Sequence, residues 1–177
     1  MEFQKLAEAR RSVRKYADRE VTREQVEEII RTAQEAPSWK NQQTSKYYIV
    51  LSKEKREAVR TTCFPSFNEQ RSLNAALVVT AFEKNNVGFN ENGEPVNELG
   101  NGWGCYDLGL QNAYFILKAR ELGLDTLIMG IRDADKLRAA LDIPENEEIG
   151  AVLALGYADE EPKKPRRREL DDIAKFY

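Results

Sequence analysis

The run Ala76-Leu77-Val78-Val79-Thr80-Ala81-Phe82 constrains the fold of this chain more than any other segment. It carries no charge and is rich in β-branched residues. It lacks both the length of a buried helix and the alternation of a half-solvated strand. It reads as a central strand buried on both faces, so the chain must build a sheet with a layer on either side. The remaining periodicities supply the parts. Residues 47–51, 125–129 and 149–157 read as three further strands. Phe3, Leu6 and Ala7 mark one face of a short first helix. Thr22 reads as an N-cap with Gln25 as its capping-box partner. Val26, Ile29, Ile30 and Ala33 follow at helical spacing, and Pro37 stops that helix. Ser52 and Asp133 cap helices reaching about Thr62 and Leu141. Apolar positions from Leu108 to Leu122 mark a long, largely buried helix over 105–122 that Gly123 ends. Four strands interleaved with helices predict an α+β sandwich, with helices packed around one sheet. With 177 residues, no internal repeat and no linker-like stretch, residues 1–177 read as a single domain.

Composition narrows the chemistry. Lys and Arg number 27 against 30 Asp and Glu, a net charge of −3, which gives no general attraction to nucleic acid or to anionic membrane. The longest uncharged stretch, 72–82, is too short to cross a bilayer, and no signal-peptide pattern opens the chain. A cytoplasmic location is the expectation. The chain has no histidine, which removes Ser-His-Asp and Cys-His catalysis, His-ligated metals and the usual base near neutral pH. Cys63 and Cys105 lack metal-site spacing and read as free thiols. An enzyme made from this chain borrows its reactivity from a cofactor.

Two segments offer the groups such a cofactor needs. Arg10-Arg11-Ser12-Val13-Arg14 puts guanidiniums and a hydroxyl within one turn, a set suited to a phosphate monoester, because Arg supplies charge and a bidentate fork together. By itself the cluster also reads as a solvated basic turn. Ala36-Pro37-Ser38-Trp39-Lys40-Asn41-Gln42-Gln43 puts Ser, Asn and Gln on a Pro-bounded loop, suited to the polar edge of a heterocycle. Between residues 83 and 104 lies a long, polar, glycine-rich segment, more often an active-site cover than filler. Its Gly100-Asn101-Gly102-Trp103-Gly104 is not a dinucleotide fingerprint, since no apolar strand precedes it and no acidic residue follows about twenty positions on. Trp103 reads equally as a cover for a flat cofactor and as a core residue. The charged tail, 159–177, ends in Leu170, Ile173 and Phe176, which it has no means of burying on itself.

These motifs, in this order, resemble the FMN-dependent nitroreductase family. The resemblance implies an α+β nitroreductase-like sandwich with a mainly antiparallel sheet, and a homodimer whose C-terminal tails dock on the partner. It implies FMN as cofactor with NADH or NADPH as co-substrate, and a small-molecule acceptor such as a nitroaromatic or quinone, reduced by hydride passing through flavin N5 in a ping-pong cycle. By the same resemblance, Arg10, Arg11 and Ser12 hold the FMN phosphate and ribityl chain, and Arg14 approaches the pyrimidine edge. Pro37, Ser38, Asn41 and Gln43 reach the flavin of the partner subunit. The family usually continues with Pro-Trp where this chain has Thr44-Ser45. Asn68 and Arg71 match residues that contact the pyrimidine ring, although an ordinary helix surface explains them as well. Gly130 matches a glycine beside the N5 and O4 edge, with Met129 offering a backbone N–H in place of a polar side chain. The segment 107–112 and the helix exit at 122–125 match family positions that carry packing and the dimer interface. In the tail, either Arg166 with Arg168, or Arg167, meets the phosphate. No catalytic side chain and no metal are implied.

Two alternatives remain at this level. The same fold and flavin could serve a single-metabolite reductase, a dehalogenase or a flavin-fragmenting enzyme, differing in the 83–104 segment. A non-enzymatic module binding polyanions or nucleic acid through its basic ends is the alternative of another class.

Overall fold

In the computed structural model, which describes residues 2–177, the four strands are β1 (Ser45–Val50), β2 (Ala76–Glu83), β3 (Asp125–Met129) and β4 (Glu147–Gly156). They form one antiparallel sheet in the order β1-β2-β4-β3. The apolar run is β2, hydrogen-bonded on both sides, and every residue from Ala76 to Phe82 is buried. The helices are α1 (Phe3–Ala9), α2 (Arg23–Ala33), α3 (Lys53–Cys63), α4 (Ser66–Arg71), α5 (Gly102–Glu121) and α6 (Ala134–Leu141). On one face, Ile29 of α2 and Phe115 of α5 cover Val78, Leu153 and Leu155. On the other, Val59 of α3 and Leu137 of α6 cover Leu77, Val79 and Ala154. A strand buried on every residue from Ala76 to Phe82 is thus explained by a helical layer on each side.

Local chemistry sets the helix ends. The Thr22 hydroxyl accepts the Gln25 N–H while the Gln25 side chain accepts the Thr22 N–H, a complete capping box. Asp133 and Ser52 cap α6 and α3 through the N–H groups of Lys136 and Lys55. Gly123 adopts φ +78° just past α5, and its neighbour Leu124 donates to the Ala119 carbonyl, turning the chain into β3. Within α5, Gly104 permits a close approach to the sheet: a Cβ there would lie 2.4 Å from the Phe82 ring.

The differences from the sequence reading are local. α5 begins at Gly102, β1 at Ser45 and β4 at Glu147, each earlier than their periodicity indicates. α4 is a six-residue helix with Asn68 alone buried, too short for periodicity to announce. In α1 only Leu6 is buried, while Phe3 is 73 % exposed, because this short helix rests against α5 at the rim. The 84–101 segment contains no helix or strand. It is held by its own side chains: Asn85 and Asn101 bond reciprocally at 2.7 and 3.1 Å, and Asn97 Oδ1 accepts both the Leu99 N–H and the Trp103 indole N–H. Among the described residues, no helix is long and apolar enough to cross a membrane. Past Ala158 the tail is irregular apart from a 3-10 turn at Leu170–Asp172, with Leu170, Ile173 and Phe176 all exposed.

Candidate functional site

The Arg10–Arg14 segment is fixed against the free edge of β3. Ser12 bridges to Thr126, and the Val13 N–H donates to the Thr126 carbonyl at 3.1 Å. Val13 is buried in the core, and the Tyr16 hydroxyl donates back to the Val13 carbonyl at 2.9 Å. With Val13 turned inward, its neighbours stay at the surface: Arg10, Arg11 and Ser12 half-buried, Arg14 exposed.

Four guanidiniums gather at this start of β3. Burial first, then the charges of Arg167 and Arg11, lower the Arg10 pKa from its ordinary value, while Asp125 works against them. Arg11 donates to the Glu8 and Arg10 carbonyls at the end of α1. Arg120, from α5, pairs at 2.8 Å with the buried Asp125. Burial pushes the Asp125 carboxyl up from its ordinary value, against the pull of Arg120 and Arg10. A cavity of about 200 Å³ opens here between Arg11, Arg120, Asp125 and the Glu160–Pro162 stretch. The guanidiniums drawn together here form a donor set that fits a phosphate dianion, while Asp125, paired with Arg120, offsets part of their charge.

The tail cation in this group is Arg167. Arg166 instead pairs with Glu169 at 2.9 Å, both largely exposed, and Arg168 is exposed. Of the two registers open in the sequence, the arrangement favours Arg167. Arg14 turns its guanidinium to the Ser12 carbonyl at 3.1 Å, and its backbone N–H donates to Glu160.

A second group lies at the other end of β3, about 14 Å away at roughly 3.4 Å per residue. Gly130 is exposed, and a Cβ there would meet nothing within 4 Å, so its backbone is open to a flat ring. The buried Asn68 donates from Nδ2 to the Ile131 carbonyl at 2.8 Å, tying α4 to this turn. Arg71 is exposed, with its guanidinium 5.2 Å from the Phe67 ring centre. Between the two ends, Ile128 is 51 % exposed on the same strand. The Met129 side chain points the other way and is core, so only its backbone is near this surface; it pairs with Val152.

The Pro37–Gln43 loop stands elsewhere. It leads into β1, whose first residue is opposite Phe82, whereas Thr126 is aligned through Leu155 with Ala76. The two motifs are therefore separated by most of the length of β2, about 20 Å, and by three strand spacings, about 14 Å. In the loop, Ser38 Oγ accepts the Gln43 N–H at 3.2 Å, and Lys40, Asn41 and Gln43 take left-handed φ of 48°, 57° and 52°. Pro37, Asn41 and Gln43 are exposed. The Trp39 ring meets Trp103 at 4.9 Å, and the Trp39 N–H donates to buried Asp107 of α5 at 2.8 Å. Trp103 in turn meets Tyr106 at 5.8 Å. It is half-buried and belongs to this loop anchorage rather than to the core.

One protomer therefore brings together Arg10, Arg11, Ser12 and Arg167 at one end of β3, and Asn68 and Gly130 at the other, with Arg71 exposed a helical turn along α4 from Asn68. It does not bring Ser38, Asn41 or Gln43 to either end. Two features escaped the sequence reading: the Arg120–Asp125 pair beside the guanidiniums, and the hold of Asp107 on the loop. The i, i+5 offset of the first, across a helix exit, was its only signal. The second, a contact 68 residues apart, had none.

A model of the nitroreductase family matches residues 7–157. A protein from Archaeoglobus fulgidus, named as a candidate NADH dehydrogenase/NAD(P)H nitroreductase, is 28 % identical over 161 residues, covering 89 % of this chain and 86 % of its own. A solved candidate nitroreductase from Exiguobacterium sibiricum, in complex with FMN, superimposes with a TM-score of 0.87 at 20 % identity, over 100 % of this chain and 98 % of that one. A nitroreductase family protein from Streptococcus pneumoniae gives a TM-score of 0.85 at 20 % identity, over 99 % and 100 % of the two chains.

Proposed function

This chain belongs to the nitroreductase family, and we propose that it is an FMN-dependent oxidoreductase. It takes reducing equivalents from NADH or NADPH and passes them to a small acceptor such as a nitroaromatic or quinone, in two half-reactions that share one site. The observation that carries this reading is the layout of β3, with a guanidinium cluster for a phosphate at one end and an open glycine for a flat ring at the other. The A. fulgidus relative and the FMN-bound neighbour from E. sibiricum support it.

In this reading Arg10, Arg11 and Arg167 neutralise the phosphate, and Ser12 offers a hydroxyl beside them. Arg120, paired with Asp125, adds a guanidinium donor but little net charge to the same end. When bound, FMN supplies the two-electron chemistry that a chain without histidine lacks. Gly130 leaves room for the ring against the backbone, Asn68 stands at the same end of the strand, and Arg71 lies a helical turn along α4 from Asn68. Arg14 supplies a cation that favours negative charge developing on the pyrimidine edge. Since Ser38, Asn41 and Gln43 lie far from both ends of β3, they serve a second copy. The active protein is a homodimer with two sites, each drawing on both chains, and the exposed Leu170, Ile173 and Phe176 dock the tail on the partner.

The test is the visible spectrum of the purified protein, before and after NADH or NADPH is added without oxygen. The expected result is a flavin spectrum that bleaches, with FMN released on denaturation. A colourless protein whose spectrum and thermal unfolding ignore added FMN would overturn the reading.

A further inference from the structure

The Asp107 carboxylate is a costly group in its place. It is 5 % exposed on the first half of α5, and among the described residues no ion pair falls on it. A buried charge without a cation survives only where hydrogen bonds stabilise it. The one it accepts comes from outside its own helix, from the Trp39 N–H at 2.8 Å. That bond reaches a loop that needs holding. Lys40, Asn41 and Gln43 all adopt left-handed backbone that side-chain-bearing residues rarely take, and such conformations persist only when the surroundings over-determine them. The other fixings are weaker: the Ser38–Gln43 closure lies within the loop, the Gln42–Asn86 bond is exposed, and Trp39 against Trp103 is a ring contact.

We propose that Asp107 is the positioning residue that holds the Pro37–Gln43 loop in the shape with which it completes the cofactor site of a second copy, a role that rests on the function proposed above. Asp107 touches neither cofactor nor substrate. It acts through the Trp39 backbone, fixing where Ser38, Asn41 and Gln43 project. Its negative charge strengthens the bond to the N–H, but any well-placed oxygen acceptor can serve.

The test compares FMN binding to the apo-dimers of wild type, Asp107→Asn and Asp107→Ala, by quenching of flavin fluorescence. Sedimentation and thermal unfolding are followed in parallel. Asp107→Asn keeps an acceptor oxygen and is expected to bind FMN within about threefold of wild type. Asp107→Ala is expected to weaken binding by about tenfold or more while remaining dimeric, the scale of one lost charge-assisted hydrogen bond. The site of action is tested by co-expressing Asp107→Ala with a chain carrying Arg10→Ala and Arg11→Ala. In the mixed dimer one site joins an intact cradle to an intact loop. One FMN per mixed dimer at wild-type affinity is therefore expected, against two for wild type.

Wild type that ignores FMN would remove the proposed function itself. With FMN-binding wild type, unchanged affinity in Asp107→Ala overturns the positioning role, and a mixed dimer with no restored site overturns action on the second copy. Should Asp107→Ala not fold, Asp107→Ser, whose oxygen is too short to reach Trp39, replaces it. If neither variant lacking the bond folds, Asp107 serves folding and the proposal falls.

Discussion

At the scale of single residues, the tail arginines test which side chain meets the phosphate. Arg167 interacts with Arg10, whereas Arg166 is engaged with Glu169 in solvent. Arg167→Ala should weaken FMN binding about ten- to a hundredfold, as expected for a lost charge-assisted hydrogen bond. Arg166→Ala should change it less than about twofold, because an exposed ion pair contributes little. Titration of apo-protein with FMN decides between them, and equal losses would discard the assignment. A sequence offers no way to choose among three consecutive arginines in an irregular tail, where no period fixes the direction of a side chain. The N-terminal arginines stood out in the sequence as a cluster of guanidiniums and a hydroxyl within one turn; that Val13 turns inward among them is visible only in the structure.

Glu83 carries a pH dependence at the same scale. The hydrogen bond from Lys46, 2.8 Å away, holds its carboxyl below the ordinary range against partial burial; the Lys46 charge and Asn86 act in the same direction. A depressed folded pKa means the folded state binds its proton less readily than the unfolded chain. The stabilisation is present above the unfolded pKa of about 4.3 and is lost as pH falls through the folded value. Glu83→Gln should therefore lose less stability than wild type between about pH 5 and pH 3, read as the urea midpoint at each pH. Parallel acid limbs would show that the Lys46 contact contributes nothing to folding.

At the scale of elements, what periodicity and capping chemistry specify was legible, and what depends on a neighbour's shape was not. β2 was readable because burial on both faces leaves no charged residue in the run, and α2 because a capping box is written in four consecutive positions. Phe3 shares a helix face with Leu6 yet stays exposed, since an apolar residue at helical spacing says nothing of whether a layer lies opposite; here the helix sits at the rim. The capping box predicts that Thr22→Ala costs about 1 kcal/mol in denaturant unfolding. A loss below about 0.3 kcal/mol, within the scatter of neutral surface changes, would show that α2 is held by its packing on α5 alone.

Gly104 sets two element-level effects against each other. Alanine in place of glycine favours a helix interior by about 1 kcal/mol, and by less at Gly104 in the first turn of α5. Its methyl would meet the Phe82 ring at 2.4 Å, however, and Phe82 is buried, at 3 % exposure. Overfilling a packed core costs about 1–3 kcal/mol. The close contact should win, so Gly104→Ala is expected to lower the melting temperature by a few degrees, at roughly 2–4 °C per kcal/mol for a chain of this size. A raised melting temperature would mean that α5 shifts away from β2 at little cost.

At the scale of the whole molecule, the sheet separates the two halves of the motif set. The guanidiniums are at the start of β3 and the Ser38–Gln43 loop is beyond β1, on the opposite edge and at the opposite end. Sequence order hides this, since only about twenty residues lie between the motifs; the strand order β1-β2-β4-β3 puts them apart. Under the proposed function these two corners serve one site, which is then complete only where two copies meet. On that proposal the tail has reason to lie at that meeting place. It carries Arg167 on one side and, a few residues on, Leu170, Ile173 and Phe176 at 61, 70 and 84 % exposure. Side chains of that kind gain about 1.5–3 kcal/mol each when fully covered.

Removal of residues 163–177 should therefore act twice. The truncated protein should sediment more towards monomer than the full chain at the same concentration, and it should lose FMN affinity by more than Arg167→Ala alone. If the truncated protein stays dimeric and matches Arg167→Ala in affinity, the tail contributes only its arginine. If it sediments and binds FMN as the full chain does, neither docking nor charge resides in the tail, and the β3 guanidiniums of one copy, with the loop of the other, suffice.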